Sequence, residues 1–64
     1  MRKKTLEYFR LESNLTQAQL AKKVGVTERC IRKWEKDREI LRNAKVKNIL
    51  KLCKVLKISI DELI

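Results

Sequence analysis

Four basic side chains between positions 29 and 36 have the type and spacing needed to bind a polyanion. At about 100° per residue, as in an α-helix, they fan across one side, while Ile31 and Trp34 share the other. The cations are Arg29, Arg32, Lys33 and Lys36. A helix with an apolar back and a cationic front has the shape and charge to enter the major groove of DNA. The competing interpretation is that the cations only solvate an exposed face, as charge runs commonly do.

The signals that would position this helix come just before it in the chain. Thr16 and Gln19 have the Thr-x-x-Gln spacing of a capping box, so we expect a helix to begin at Gln17. Gly25, the only glycine, stands where that helix needs a left-handed residue to end. Thr27 is then placed to cap the cationic helix.

The earlier of these two helices carries an apolar stripe. Leu20, Ala21 and Val24 share one face, and Ala21 is small enough to let a second helix approach closely. Two short helices joined by a tight glycine turn form a helix-turn-helix. This arrangement favours insertion of the second helix, predicted over 28–36, into a DNA groove.

The composition agrees with a negatively charged partner. Seventeen Lys and Arg residues against eight Asp and Glu residues give a net charge of +9. Phosphate backbones are the natural counterpart, although membranes and acidic proteins also attract such a surface. We expect one domain over 1–64. Since a chain this short buries only about 60% of its unfolded surface, dimerisation would help to stabilise it.

Catalysis and metal binding find no support in the residue types. The chain has no histidine, no Cys-x-x-Cys pair and no phosphate-binding glycine loop, so no enzyme activity, metal site or cofactor is expected. Cys53 is expected in the core, whereas Cys30 lies between core and groove, where a redox switch is the minor alternative. With no membrane-spanning run and no recognisable secretory segment, we expect a cytoplasmic setting.

Nearly the whole chain resembles the phage-repressor/Cro-type, Xre-like helix-turn-helix family. The similar segments are LTQAQLAKKVGVT at 15–27, Ile31 with Trp34-Glu35, LKLCKVL at 50–56 and SIDEL at 59–63. The resemblance implies an all-α fold, a compact five-helix bundle whose third helix enters the major groove. It also implies a sequence-specific DNA-binding protein, usually dimeric and most often a transcriptional repressor.

The family pattern also implies particular contacts. Gln17 matches a common phosphate contact, although it equally fits as an ordinary polar first-turn residue. Arg10 and Glu35 match a structural bridge between the first helix and the end of the recognition helix. With the flanking cations included, the predicted DNA-binding residues are Gln17, Thr27, Glu28, Arg29, Arg32, Lys33, Lys36, Arg38 and Lys45.

Three departures from the family pattern stand out. The stretch 36–43 lacks glycine and proline and is longer than the usual loop before the fourth helix. Lys57 replaces a common helix-ending glycine, which costs up to about 1 kcal/mol if its backbone is left-handed. Cys30 replaces a serine or threonine, so a hydroxyl contact with DNA is missing there.

Apolar spacing predicts the remaining helices. The first is expected near 2–11, with Leu6 and Phe9 inward, and Asn14 suits a left-handed turn after it. The fourth is expected near 44–56. Its predicted inner residues are Val46, Ile49, Leu50, Cys53 and Leu56, and its predicted outer residues are Lys47, Lys51 and Lys54.

The C-terminal residues are expected to form a short helix and a dimer contact. Ser59 and Glu62 have capping-box spacing. Leu63 is expected in the core, while Ile60, Ile64 and the end of the fourth predicted helix are expected to meet a second copy. The operator should then be an inverted repeat with half-site centres about 10 base pairs apart.

Protein binding is the main alternative to DNA regulation. The same fold suits an antitoxin or a mobile-element accessory protein, for which a near-neutral recognition helix would be typical. RNA binding is a weaker alternative, because the only aromatic residues are Tyr8, Phe9 and Trp34. The favoured partner therefore remains a double-stranded DNA operator.

Overall fold

Six α-helices make up the part of the protein that the structure, a computed structural model, describes, residues 4–64. They are α1 Leu6–Glu12, α2 Gln17–Val24, α3 Glu28–Lys36, α4 Arg38–Arg42, α5 Val46–Leu56 and α6 Ile60–Leu63. The predicted all-α class is confirmed. The expected count of five helices is one short, because α4 forms within the stretch predicted as a loop.

The helix-turn-helix begins and ends where the sequence predicts. The Thr16 backbone N–H donates to Gln19 Oε1 at 2.8 Å, and the Gln19 N–H donates to Thr16 Oγ1 at 3.0 Å, so the capping box is complete. Gly25 is left-handed, with φ of 87°, and ends α2. The Cys30 N–H donates to Thr27 Oγ1 at 3.3 Å, which starts α3.

The first helix is shorter than predicted. Its predicted start at residue 2 lies outside the described residues, but Lys4 and Thr5 are not helical. The Tyr8 N–H donates to the Thr5 hydroxyl at 3.1 Å, so Thr5 is the N-cap and α1 begins at Leu6. Asn14 has the expected left-handed backbone, with φ of 58°.

Helix α4 corrects the prediction of a loop over 36–43. Asp37 Oδ1 accepts from the Glu39 N–H at 2.9 Å, and the Asn43 side-chain amide donates to the Glu39 carbonyl at 2.9 Å. Leu41 is fully buried in the core. A single turn of helix has too few residues to show a period in the sequence, so its stability comes from its cap and this tertiary contact.

The inner face of α5 also differs from the prediction. Val46 and Leu50 are exposed, at 68% and 55%, whereas Leu52, which was not assigned to the core, is completely buried. The helix begins at Val46 rather than at residue 44. The orientation of α5 follows from its packing on α2 and α6, which turns Leu52 inward.

One apolar cluster joins all six helices. Helix α2 packs on α3 and α5, while α3 also packs on α1 and α4. Leu63 is fully buried, as predicted, and Ile60 is 40% exposed. The core residues are Leu6, Phe9, Leu20, Ala21, Val24, Ile31, Trp34, Leu41, Ile49, Leu52, Cys53, Leu56 and Leu63.

Candidate nucleic-acid interface

Helix α3 has one buried and one cationic side. Ile31 and Trp34 are buried against the rest of the protein. The cations of the opposite side are all exposed and line one open depression; they are Arg29, Arg32, Lys33 and Lys36. None of these four forms a side-chain hydrogen bond or ion pair within residues 4–64. The structure therefore holds four unneutralised positive charges on one surface of a packed helix. We call this surface the α3 front.

The N-terminal ends of α2 and α3 lie side by side at one end of this front. Gln17 and Glu28, the first residues of the two helices, line a second depression together with Arg10. Glu28 is exposed and Gln17 is half-buried. Helix N-termini carry unsatisfied N–H groups and a partial positive charge, which favours contact with phosphate oxygens.

A buried ion pair fixes α3 relative to α1. Arg10 Nε donates to Glu35 Oε2 at 2.5 Å, and only 9% and 7% of the two side chains are exposed. Arg10 Nη1 also donates to the Leu15 carbonyl at 2.8 Å, and its Nη2 lies 3.9 Å from Glu7. Because so many of its groups are paired, the Arg10 charge is compensated inside the fold.

Gln17 belongs to the same network. Its side-chain amide donates to Glu35 Oε1 at 2.9 Å. Glu35, near the end of α3, thus accepts hydrogen bonds from Arg10 of α1 and from Gln17 of α2. The predicted contact between Gln17 and phosphate stays a prediction, and the structure adds that Glu35 holds the side chain involved.

Thr27 and Cys30 form a local pair at the start of α3. The Thr27 hydroxyl accepts from the Cys30 N–H and donates to Cys30 Sγ at 3.4 Å. Cys30 is half-buried. The hydroxyl of Thr27 is therefore engaged in capping, and its oxygen keeps one lone pair that can accept from a ligand.

Arg38 and Lys45 do not line the depression on the α3 front. Arg38 is half-buried and donates to the Lys4 carbonyl at 2.8 Å, which joins α4 to the segment before α1. Lys45 lines a groove with Lys47 and Lys51. The sequence placed Lys47 and Lys51 on the outer side of the helix but did not assign Lys51 to DNA binding. Its four-residue spacing from Lys47 was the available signal that the two share a surface.

Comparison with known proteins identifies the family. A family model described as Helix-turn-helix matches residues 6–63. The chain belongs to the Cro/C1-type, Xre-like helix-turn-helix family. No curated protein and no solved structure shows a significant match. Members of this helix-turn-helix family are DNA-binding transcription regulators and are generally not enzymes.

Outside the α3 front, the thiol of Cys53 on α5 has a raised pKa. Burial raises the pKa of the Cys53 thiol above its ordinary value of 9.0; the smaller effects are a backbone hydrogen bond, which lowers it, and the nearby Glu62 charge, which raises it. In the part of the chain from Lys4 onward, no group of three acidic or cysteine side chains is placed to hold a metal ion. No helix in that part is long and apolar enough to cross a membrane.

Proposed function

We propose that this protein is a transcriptional repressor that binds a specific operator with α3 in the major groove. The observation that carries the proposal is the α3 front, four exposed cations without partners on a helix whose other side is buried. A major groove about 12 Å wide admits one helix, and arginine pairs best with guanine O6 and N7. Arg29, Arg32 and Lys33 are the residues we assign to base edges.

Contacts to the DNA phosphate backbone would flank the base contacts made by α3. Gln17 begins α2 and Thr27 caps α3, while Lys36 is the last residue of α3 and Lys45 directly precedes α5. Phosphate contacts of this kind fix orientation and supply affinity without sequence information. Arg38 takes part less directly, since its guanidinium already donates to the Lys4 carbonyl. Repression then needs only occupancy, because a bound domain excludes other proteins from the same face of the DNA.

We further propose that the active species is a two-fold dimer on an inverted repeat. Half-sites read from one DNA face are about 34 Å apart. The chain measures 30 × 24 × 20 Å, so two copies on adjacent half-sites would be neighbours. Ile60, the first residue of α6, is 40% exposed, and Ile64, which directly follows α6, is half-buried. We assign these two residues, four positions apart, and the end of α5 to the contact between copies.

Binding to DNA can be tested by its salt dependence. If about six phosphates are contacted, log K should fall against log salt with a slope of about −5 or steeper. Operator sequences come from selection in a random DNA pool. Arg32→Ala should then lose about 1–3 kcal/mol on the selected site and little on random DNA. The matched control is Lys54→Ala, which removes a charge from an exposed position of α5 and should affect both DNAs equally.

A protein-binding module is the second candidate function. Val46 and Leu50, four residues apart on α5, expose 68% and 55% of their surfaces and offer an apolar strip to a partner. A salt slope near zero, with no sequence enriched from the pool, would favour this function over the operator.

A further inference from the structure

Glu28 is the one carboxylate on the exposed side of α3. The other acidic residue between Glu28 and Lys36 is Glu35, whose side chain is 7% exposed and paired with Arg10. Glu28 is exposed and forms no side-chain hydrogen bond or ion pair within the described residues. An unpaired negative charge thus lies in a surface that otherwise carries only cations.

The neighbours of Glu28 do not neutralise it. Arg32 lies one helical turn further on the same face, within reach of an i,i+4 pair, yet the two side chains are not paired. Gln17 lines the same depression, but its amide donates to Glu35. In a DNA complex the carboxylate would face phosphates of its own sign, so it needs a hydrogen-bond donor on the DNA.

The major groove offers two such donors, cytosine N4 and adenine N6. The adenine donor lies beside the N7 acceptor, which repels the second oxygen of a carboxylate. The cytosine donor lies beside a C5–H group, and the paired guanine presents O6 and N7 to an arginine. We infer that Glu28 reads a cytosine in each operator half-site, an inference that rests on the proposed insertion of α3 in the major groove.

The test compares base preferences of the wild type and Glu28→Gln on the operator selected from a random pool. Each half-site position is changed in turn, and affinities are measured by fluorescence anisotropy. For the wild type, one position should prefer cytosine by about tenfold to hundredfold over other bases. In Glu28→Gln this preference should be lost or move to adenine, because the amide of glutamine pairs with adenine N6 and N7.

Two controls separate readout from charge. Glu12→Gln removes an exposed carboxylate from the end of α1 and should leave every base preference unchanged. Replacing the preferred cytosine by N4-methylcytosine puts a methyl group in place of the amino hydrogen that points into the groove, while base pairing is retained. It should weaken the wild type about tenfold or more and leave Glu28→Gln unaffected.

The outcomes distinguish this inference from the proposed function. If a selected operator binds tightly but Glu28→Gln keeps the wild-type preferences, or merely binds every DNA more tightly, cytosine readout is wrong and operator binding stands. If the pool yields no enriched sequence, both the inference and the proposed function are wrong.

Discussion

At the scale of single residues, the molecule separates charges that hold the fold from charges that are free to bind. Arg10 and Glu35 are buried and joined to each other, and Glu35 also accepts from Gln17. Arg29 and Arg32 are exposed and have no such partners among residues 4–64. A buried pair keeps its geometry because either charge alone would be costly, whereas exposed cations remain available for phosphates and base edges.

Breaking the buried pair should destabilise the protein more than removing it. Arg10→Met or Glu35→Gln alone leaves one shielded group without its partner, so each should lower the free energy of unfolding by about 3 kcal/mol or more. The double variant should recover part of this loss, since neither charge remains. Urea unfolding of the wild type, the two single variants and the double variant gives the coupling free energy between Arg10 and Glu35.

The exposed pair Arg42 and Glu39 is the matched control. Their side chains are 55% and 72% exposed at an N–O distance of 3.1 Å, so solvent screens them and their coupling should stay below about 0.5 kcal/mol. A double variant at Arg10 and Glu35 that is no more stable than the worse single variant would contradict the prediction.

Cys53 should make stability fall in alkaline solution. Burial raises the pKa of its thiol in the folded state, so the unfolded chain ionises first as the pH rises. The stability contributed by the thiol is therefore fully present below pH 9.0 and is lost as the pH passes through the folded-state pKa. The difference in unfolding free energy between wild type and Cys53→Ala should decrease above that pH. A constant difference would show that the thiol does not ionise on unfolding.

At the scale of helices, the ends are determined locally and the packing is not. Thr16 and Thr27 start α2 and α3 through bonds to residues three positions away. Helix α5 ends on Lys57, whose φ of 57° is left-handed although the residue has a Cβ. Helix α4 has only five residues, and it is retained by burial of Leu41.

Replacing the left-handed lysine by glycine should stabilise the protein. Glycine adopts positive φ without steric cost, so Lys57→Gly should raise the free energy of unfolding by up to about 1 kcal/mol. Lys54→Gly, an exposed position inside the same helix, should instead lower it by about 1 kcal/mol. Thermal unfolding shows whether the free energy of unfolding rises in Lys57→Gly and falls in Lys54→Gly. Equal destabilisation by both changes would mean that the strain at Lys57 is negligible.

At the scale of the whole molecule, a net charge of +9 on a body 30 × 24 × 20 Å favours association with a polyanion. The α3 front concentrates part of this charge on one side, and α6 leaves Ile60 and Ile64 partly uncovered. We therefore place the proposed DNA contact on α3 and the proposed contact between copies at Ile60 and Ile64.

The proposed dimer can be tested by sedimentation of the free protein. The wild type should sediment as a dimer at concentrations where Ile64→Lys is monomeric, because a lysine would be desolvated at the contact. Leu11→Lys makes the same kind of change at a 58% exposed position of α1 and should leave the dimer intact. A free monomer that binds a palindrome cooperatively would rule out a preformed dimer but not the symmetry of the operator.

For the candidate interface, the sequence by itself determined that a capped helix with an apolar back carries four cations in front. Residues of a single helix, each within about one turn of the next, decide this arrangement, so it follows from spacing alone. The partnership of Arg10 with Glu35 was implied by the family resemblance and not by spacing. The sequence contained no sign that Gln17 would donate to Glu35, 18 positions away.

In the fold as a whole, only the tertiary structure decided which apolar residues are inside. Val46 and Leu50 were as suitable for the core as Leu52, and a single turn around Leu41 was indistinguishable from a loop. The local sequence hardly distinguishes Leu52 from Val46 and Leu50 as core residues, or a helical turn at Leu41 from a loop. The free energy that separates them comes from burying side chains against helices distant in the sequence, and that burial exists only once all six helices have packed together.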